Sequence, residues 1–396
     1  MKWSSVVTED SQWDVAVRNA AERVLDQLGG QAPDLAVVFV SQQHQEHFDE
    51  VAALLAQLLF CKVLIGCSAG NVIGDGREVE DRPGLSLTVA LLPDVALHAF
   101  HLDKENLLPL TAEPDAWRQL IGLPSESQPD FLLLPDPFSF PTDKLLHALD
   151  RQFPASRTIG GLASGGSEAG SNVLYLGEQT YRSGMVGLAL AGNIETDTLV
   201  AQGCRPIGEP LFVTGAQRNV LRSLDGQPPL AIINDLYAKL DSRDQELLRH
   251  SLFVGIAMQD ARQEYRQGDF LIRNIIGLDQ DSGAVAIGAV PQENSIVQFH
   301  LRDARTSAED LEALLSRFDH LPPSARPLGS LLFSCLGRGS ALYGQPNHDT
   351  HAFLRHVGNI PLGGFFCNGE IGPVQGATFL HGYTSAFALF KPRAIP

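Results

Sequence analysis

GSLLFSCL (329–336), HDTHAFLRHV (348–357), IPLGGFFCNGE (360–370) and YTSAFALF (383–390) follow one another in the C-terminal half of the chain. The first segment is too short and too uniformly apolar for an amphipathic helix, so it predicts a buried strand. The second segment has apolar residues at helical spacing, and the third predicts a strand that runs into a glycine-rich bend. With a final apolar strand, the four segments predict a strand-helix-strand-strand unit.

The same order of segments occurs twice more in the N-terminal half. The first copy is DLAVVFVS (34–41), HFDEVAALLAQLL (47–59), VLIGCSAGN (63–71) and LSLTVALL (85–92). The second copy is DFLLLPDP (130–137), TDKLLHALDRQF (142–153), RTIGGLASGG (157–166) and GMVGLALAG (184–192). Because amphipathic helices pack on sheets, the repeat predicts an α/β (α+β mixed) fold: layered mixed sheets flanked by helices.

The segment from 207 to 300 is less regular. It contains one helix-like stretch around 231–252 and a hairpin from FLIRNIIGL to AVAIGAV that turns at Asp281-Ser282-Gly283. We interpret it as a diverged fourth unit. A chain of 396 residues is long for one core, so we expect two domains, 1–205 and 206–396, joined near the proline-rich RPIGEP.

Composition excludes several classes of protein. The net charge of −17 repels nucleic acid phosphates and anionic membrane surfaces. No apolar run is long enough for a spanning helix, and the N-terminus MKWSSVVTEDSQWD has no leader pattern. The five cysteines include no CxxC pair, which favours reduced thiols over disulfides or structural zinc. We therefore expect a cytoplasmic protein that does not bind nucleic acid or insert into membranes.

Several separated motifs give the chain a family resemblance. LIGCSAGNVIGDGREVED followed by PGLSLTVALLP marks the N-terminal half, and FLIRNIIGLD, SCLGRG, GGFFCNGEIGP and HGYTSAFALF mark the C-terminal half. The sequence resembles the FIST family (F-box and intracellular signal transduction proteins) in both named halves, over roughly residues 30–390.

The resemblance implies an intracellular sensory domain, not an enzyme, that binds small ligands such as amino acids. Some bacterial members of the family bind haem and report nitric oxide, and eukaryotic members are joined to an F-box. We find no F-box, kinase or cyclase segment beside the FIST halves, so we expect a stand-alone, bacterial-type member that passes its signal to a separate partner protein.

An amino-acid-like ligand needs a cation for its carboxylate and an anion for its ammonium group. Arg338 offers a planar, bidentate fork, and Glu370 follows the last glycine-rich bend. The simpler alternative is that Arg338 and Glu370 pair with each other or cap loops. The predicted ligand-binding set is Arg338, Gly337, Gly339, Asn368, Gly369, Glu370, Arg273, Asn274, Cys67 and Ser68.

Two alternatives involve other chemistry. Gly66-Cys67-Ser68-Ala69-Gly70 matches the G-x-S-x-G nucleophile elbow, but the following NVIGDGREVED lacks the helix that an elbow requires, which favours a tight turn. His348 and His351, one helical turn apart, could ligate haem, the one cofactor that we consider. A serine hydrolase using Ser68 and a haem-binding nitric-oxide or redox sensor are therefore kept as alternatives.

Two further features have simple interpretations beside functional ones. Cys335, before Gly-Arg-Gly, is either a redox-sensing thiol or a small buried apolar residue at a strand end. The acidic run Glu78, Glu80 and Asp81 lacks the D-x-D-x-D-G pattern of a calcium loop, so we expect a solvated loop.

Overall fold

A computed structural model of the chain describes residues 1–109, 112–124, 127–259, 262 and 264–393. The chain forms two compact units. The first holds Met1–Val200, Ala313–Leu380 and the chain from Thr384 onward, and the second holds Ala201–Glu312 with His381–Tyr383. The second unit is thus an insertion in the chain of the first, and the division into 1–205 and 206–396 stays a prediction. None of the helices formed by the described residues has the length and apolarity needed to span a membrane.

The strands are numbered in chain order. They are β1 (Lys2–Thr8), β2 (Leu35–Ser41), β3 (Val63–Ala69), β4 (Asn71–Gly74), β5 (Arg77–Val79), β6 (Leu85–Leu91), β7 (Val95–Leu102), β8 (Asp130–Pro135), β9 (Thr158–Gly161), β10 (Leu174–Leu176), β11 (Gln179–Tyr181), β12 (Met185–Gly192), β13 (Glu195–Gln202), β14 (Cys204–Gln217), β15 (Val220–Leu224), β16 (Leu252–Ala257), β17 (Phe270–Leu278), β18 (Val285–Ile287), β19 (Ile296–Arg302), β20 (Gly329–Cys335), β21 (Leu362–Cys367), β22 (Glu370–Val374), β23 (Ala377–His381) and β24 (Thr384–Lys391).

The α-helices are α1 (Trp13–Leu28), α2 (Phe48–Leu59), α3 (Pro114–Ile121), α4 (Thr142–Gln152), α5 (Pro229–Lys239), α6 (Ser242–Ser251), α7 (Ala304–Leu315), α8 (Ser340–Tyr343) and α9 (His348–His356). Short 3₁₀ helices cover Gln42–His47, Ser316–Phe318 and Pro323–Ala325.

The three predicted strand-helix-strand-strand copies are confirmed, and they share one pairing pattern. In each copy the first strand pairs parallel with the second: β2 with β3, β8 with β9, and β20 with β21. The first strand also pairs antiparallel with the last: β2 with β6, β8 with β12, and β20 with β24. The α/β class with mixed sheets flanked by helices is therefore as predicted.

A cyclic exchange of hairpins joins the three copies. Each copy makes a hairpin after its second strand, and that hairpin completes the sheet of another copy. The hairpin β4-β5 of copy 1 pairs with β21 of copy 3, β22-β23 of copy 3 pairs with β9 of copy 2, and β10-β11 of copy 2 pairs with β3 of copy 1. The three six-stranded sheets are β1-β6-β2-β3-β10-β11, β23-β22-β9-β8-β12-β7 and β13-β24-β20-β21-β4-β5.

The inner faces of these sheets share one apolar core. Alternate residues of β2 divide between two clusters: Val37 and Phe39 enter the shared core, whereas Ala36 and Val38 pack beneath α1 and α2. In the shared core the Phe39 ring stacks on Phe365 with ring centres 4.5 Å apart. Strands buried on both faces explain why the first strand of each copy is uniformly apolar in sequence.

One glycine recurs at the same place in each copy, on the second strand opposite the first. A Cβ built at any of the three would lie 1.9 to 2.0 Å from the carbonyl oxygen of the residue that faces it. Only glycine permits such close approach between backbones. The three are Gly66, Gly160 and Gly364.

The second unit contains a closed barrel of six antiparallel strands in the order β14-β15-β18-β17-β16-β19. The predicted hairpin is present as β17 and β18. Two predictions for this segment were wrong. It is a barrel and not a fourth copy, and the single helix-like stretch is two helices, α5 and α6, since Asp241 between them accepts a hydrogen bond from the Asp244 N–H and begins α6 afresh.

The close approach at Gly364 predicts a large cost for any side chain there. We expect Gly364→Ala to lower the free energy of unfolding by at least about 3 kcal/mol, because the new methyl group meets the backbone of β20. The control Gly358→Ala also places alanine at positive φ but in open space, and should cost only about 1–2 kcal/mol. Urea unfolding of both variants measures the difference, and equal losses would contradict the explanation.

Candidate functional site

A buried ion pair lies between the turn after β20 and the start of α9. The Arg338 guanidinium donates two hydrogen bonds to the Asp349 carboxylate, from Nε to Oδ2 at 2.8 Å and from Nη2 to Oδ1 at 3.0 Å. Both side chains are almost fully buried, at 0% and 3% exposure. This bidentate geometry is the strong form of an arginine–carboxylate pair.

Asp349 is the most heavily bonded carboxylate of this region. It also accepts hydrogen bonds from Ser385 Oγ at 2.5 Å and from His348 Nδ1 at 3.0 Å. Burial alone would raise the pKa of Asp349, but the Arg338 charge and these hydrogen bonds outweigh it and hold the pKa well below its usual range. Asp349 is therefore ionised, and it largely neutralises Arg338.

The hairpin exchange brings a second carboxyl group to the same helix. Glu78 lies on β5 of copy 1, and its Oε1 accepts the Thr350 N–H of α9 at 2.9 Å although 272 positions separate the two residues. Burial, and then the negative charge of Asp349, raises the pKa of Glu78 to about 8. The other oxygen, Oε2, is buried without a hydrogen-bond partner.

The prediction of a solvated acidic loop was wrong for Glu78 and Glu80. Glu78 is only 5% exposed. Both carboxylate oxygens of Glu80 accept the Ser340 N–H, and Oε1 also accepts Ser340 Oγ at 2.7 Å. Of the acidic run only Asp81 is exposed. Neighbouring residues alone suggested a loop, whereas the pairing of β4 with β21 places this run against copy 3.

Glu370 is the fourth carboxyl group of the region and is fully buried. Its Oε2 accepts the Thr384 N–H at 3.0 Å and Thr384 Oγ1 at 2.7 Å, and Cys367 Sγ lies 3.4 Å from its Oε1. Burial raises the pKa of Glu370 to about 7, against the opposing effect of the Thr384 hydrogen bonds and the Arg338 charge. We call Glu78, Glu80, Asp349 and Glu370 the acid cluster.

Arg338 and Glu370 lie close enough for the Arg338 charge to act on Glu370, as the sequence suggested. The direct partner of Arg338 is Asp349. Gly337 and Gly339 flank Arg338, and Gly339 has a φ of 68° with Glu80 beside it. Sequence reasoning missed Asp349 and Glu78. Asp349 carried one usable signal in the sequence. It is an acidic residue in the first turn of the predicted helix, where a negative charge is favourable.

The three glycine-rich bends meet in the interior of the first unit. Ser164, in the bend of copy 2, accepts the Gly70 N–H at 2.9 Å and donates to the Phe366 carbonyl at 2.5 Å. The Leu162 N–H donates to the Gly369 carbonyl, and the Asn368 N–H donates to the Leu162 carbonyl. The bends that hold Cys67, Ser68, Asn368 and Gly369 are thus joined through copy 2.

The surroundings of Ser68 do not resemble those of a hydrolytic nucleophile. The Ser68 hydroxyl is 1% exposed, donates to Asn172 Oδ1 at 3.3 Å and accepts the Val173 N–H at 3.1 Å. Neither partner can act as a general base. The chain continues from β3 into β4 and not into a helix, as the sequence indicated. The serine-hydrolase alternative therefore gains no support from this geometry.

Two residues of the predicted set, Arg273 and Asn274, belong to the second unit. Both lie on β17, where Arg273 Nη1 donates to the Ile272 carbonyl and Asn274 Oδ1 accepts the hydroxyl of Tyr383. The acid cluster belongs entirely to the first unit.

The two histidines of the haem alternative differ in environment. His348 is bonded to Asp349 and stacks on the Tyr343 ring with centres 3.5 Å apart, whereas His351 is exposed. Within the described ranges, no three His, Cys, Asp or Glu side chains are grouped so as to hold a metal ion. Haem ligation by these residues stays a prediction.

A surface cavity of about 310 Å³ is lined by none of the acid-cluster residues, although Arg77 in its lining precedes Glu78 in the chain. It contains none of the predicted ligand-binding residues, and its charged groups are largely paired, for example Arg77 with Glu9 at 2.8 Å. We favour the acid cluster as the candidate site, because strongly shifted pKa values of buried groups cluster at functional sites. The cavity is lined by Val7, Thr8, Glu9, Asp10, Asn19, Glu22, Arg23 and Arg77.

The Arg338–Asp349 pair predicts a strong effect of removing one charge. We expect Asp349→Asn to lower the free energy of unfolding by about 3–5 kcal/mol, because it leaves a buried guanidinium without its anion. The control Asp75→Asn breaks the exposed pair with Arg23 and should cost less than about 1 kcal/mol. Chemical denaturation of both variants gives the comparison, and a loss at Asp349 as small as that at Asp75 would contradict the assignment.

The raised pKa values of Glu78 and Glu370 predict how stability changes with pH. Both groups keep a proton in the folded chain at pH values where the unfolded chain, with a pKa of 4.5, has lost it. Stability should therefore fall as pH rises from about 4.5, up to about 7 for the contribution of Glu370 and about 8 for that of Glu78, by at most about 1.4 kcal/mol per pH unit for each group. Denaturation at several pH values tests this, and Glu78→Gln should flatten the dependence. An unchanged slope in that variant would exclude Glu78 as its source.

Comparison with known proteins assigns the chain to a family. The FIST N domain family matches residues 34–227, and the FIST C domain family matches residues 229–373. Uncharacterized proteins of Mycobacterium tuberculosis and Mycobacterium bovis are 36% and 34% identical over 377 residues, which is 95% of this chain and 96% and 95% of theirs. An F-box/LRR-repeat protein of Arabidopsis thaliana is 23% identical over 299 residues, 63% of this chain and 55% of that protein. FIST domains are associated with sensory roles in signal transduction, and the chain belongs to the FIST family.

Proposed function

We propose that this chain is a cytoplasmic sensory module that binds a small, amino-acid-like metabolite through its protonated amine and passes the signal to a separate protein. The acid cluster is the binding site. The observation that carries the proposal is the pair of buried carboxyl groups, Glu78 and Glu370, whose pKa values are raised to about 8 and about 7.

Buried carboxyl groups of this kind favour a cationic ligand. A carboxyl group whose ionisation is suppressed by burial becomes ionised when a cation arrives, so part of the binding energy comes from the new ion pair. The Oε2 oxygen of Glu78 is buried without a partner and is an available acceptor for an ammonium N–H. An amine that binds here displaces the carboxyl proton.

The ion pair of Arg338 indicates which end of such a ligand the site recognises more strongly. Arg338 is already engaged by Asp349 through two hydrogen bonds, so a ligand carboxylate has to share the guanidinium with an existing anion. The ammonium group meets no comparable competitor at Glu78. Recognition of the amine therefore dominates, and recognition of the carboxylate is secondary.

The site also offers a way for binding to alter the protein. Glu78 belongs to the hairpin of copy 1, and its partner Thr350 belongs to helix α9 of copy 3. A ligand that ionises Glu78 changes the charge at the point where the two copies meet. Such a change shifts a conformational equilibrium only if the two states differ in affinity for the ligand.

The five cysteines agree with a reducing compartment. All five lie in the described residues and none forms a disulfide; Cys67, Cys204 and Cys367 are buried. Buried thiols outside disulfides in a chain of this size are typical of proteins kept under reducing conditions.

Haem binding remains the second candidate, on one observation. Asp349 holds Nδ1 of His348, and a carboxylate in this position commonly orients a histidine that binds metal through its other nitrogen. His348 would hold the iron, which would supply gas or redox chemistry, and Asp349 would fix the ring orientation.

A thermal-shift screen of the twenty amino acids and simple primary amines tests the proposed function. At a concentration about a hundredfold above Kd, a bound amine should raise Tm by roughly 3 °C for a chain of this length. Glu78→Gln should abolish the shift, because the neutral amide cannot ionise, while the exposed control Glu50→Gln should keep it. Isothermal titration in buffers of different ionisation enthalpy should show proton release on binding.

Two results would overturn the assignment. Binding that survives in both Glu78→Gln and Glu370→Gln would remove the ligand from the acid cluster. A chain that binds no amine but gains a Soret absorbance band with haem, lost in His348→Ala, would replace the amine ligand with haem.

A further inference from the structure

Two cysteines end adjacent parallel strands in the core of copy 3. Cys335 is the last residue of β20, Cys367 is the last residue of β21, and the two are direct register partners. Neighbouring strands lie about 4.7–4.9 Å apart, which falls within the range of Cα separations that a disulfide spans, roughly 4.4–6.8 Å. The Leu336 N–H donates to the Cys367 carbonyl at 3.1 Å, so the strands remain close past their ends.

The Cys367 side chain is directed towards the neighbouring strand. Its Sγ lies 3.4 Å from the Ser334 carbonyl oxygen, which belongs to the peptide group that precedes Cys335. The same Sγ lies 3.4 Å from Glu370 Oε1. A carboxylate oxygen at this distance can accept the thiol proton when the sulfur reacts.

The two thiols differ in access to solvent. Cys367 is fully buried, whereas Cys335 is partly exposed. Arg338 also lies near enough to Cys335 for their charges to interact, but Asp349 neutralises most of the guanidinium charge, so access to solvent decides which thiol reacts first. A small oxidant therefore reaches Cys335 first.

We propose that Cys335 and Cys367 are a peroxide-sensitive pair that forms a disulfide, with Glu370 accepting the proton of Cys367. In the first step the Cys335 sulfur attacks hydrogen peroxide, the O–O bond breaks, and a sulfenic acid and water form. In the second step the Cys367 sulfur attacks the sulfenic sulfur while the ionised Glu370 takes the thiol proton, and an S–S bond replaces the S–O bond. The departing hydroxide takes this proton from Glu370 and leaves as a second water. The two thiols lose two electrons, which peroxide accepts.

Glu370 connects this chemistry to the acid cluster. Burial raises the pKa of the Cys367 thiol well above its usual value, so the second step needs a base at hand. Glu370 is the carboxyl group beside that thiol, and with a pKa of about 7 part of the molecules carry it ionised at neutral pH, in the form that can accept the thiol proton. Oxidation removes the S–H group that faces it. The pair is argued from its own geometry and does not depend on which ligand the acid cluster takes.

Mass spectrometry of the full chain treated with hydrogen peroxide tests the pair. After blocking of residual thiols and digestion with trypsin, we expect a cross-linked peptide that joins Cys335 to Cys367, since Arg338 and Arg355 separate them into different peptides. Reductant should reverse the link. The buried Cys67 and Cys204 serve as internal controls and should remain thiols.

Variants separate the two chemical steps. Cys367→Ser should leave Cys335 as a sulfenic acid that dimedone traps, and the control Cys61→Ser, at a partly buried cysteine outside the predicted site, should leave the cross-link unchanged. Glu370→Gln should slow disulfide formation about tenfold or more while the sulfenic acid accumulates. Oxidation of Cys335 without a link to Cys367, a link between two chains through Cys335, or no reaction of either thiol would each overturn the proposal.

Discussion

The buried pair of Arg338 and Asp349 sets the electrostatics of the first unit. It ties the turn after β20 to helix α9, and Ser385 of β24 adds a third element to the same carboxylate. Because Asp349 largely neutralises Arg338, the guanidinium charge offsets only part of the effect of burial on the pKa of Glu370. Burial and the Asp349 charge then raise the pKa of Glu78. The Arg338–Asp349 pair thus leaves Glu78 and Glu370 as carboxyl groups whose ionisation a bound cation can change.

Much of the fold of the first unit could be predicted because its signals are local. Each copy shows an apolar strand, an amphipathic helix and a glycine-rich bend within about sixty residues, and period and length are enough to recognise them. Which hairpin completes which sheet could not be predicted, because strand partners are chosen by packing between distant segments. The barrel was missed for a similar reason: β14 to β19 are irregular in length and broken by bulges, such as that between Ile207 and Leu211.

The candidate site was predicted only in part. Arg338 and Glu370 carry recognisable signals, since each stands beside glycine at a strand end. Their environments depend on residues that arrive from elsewhere. Glu78 reads as a surface acid because its neighbours are turn-forming, and only the pairing of β4 with β21 buries it. Ionisation is a property of surroundings, so neither raised pKa could be found in the sequence.

The circular donation of hairpins means that no copy is a self-sufficient folding unit. A polypeptide holding a single copy would have to lend its hairpin to a second chain and accept one from a third, closing a ring of three identical subunits. In the present chain the three copies belong to one polypeptide, so the same ring closes within a single molecule. A substitution in the hairpin of one copy therefore affects the sheet of another copy, so the sequences of the three copies cannot change independently. Glu78, which copy 1 supplies, is part of the chemistry of copy 3.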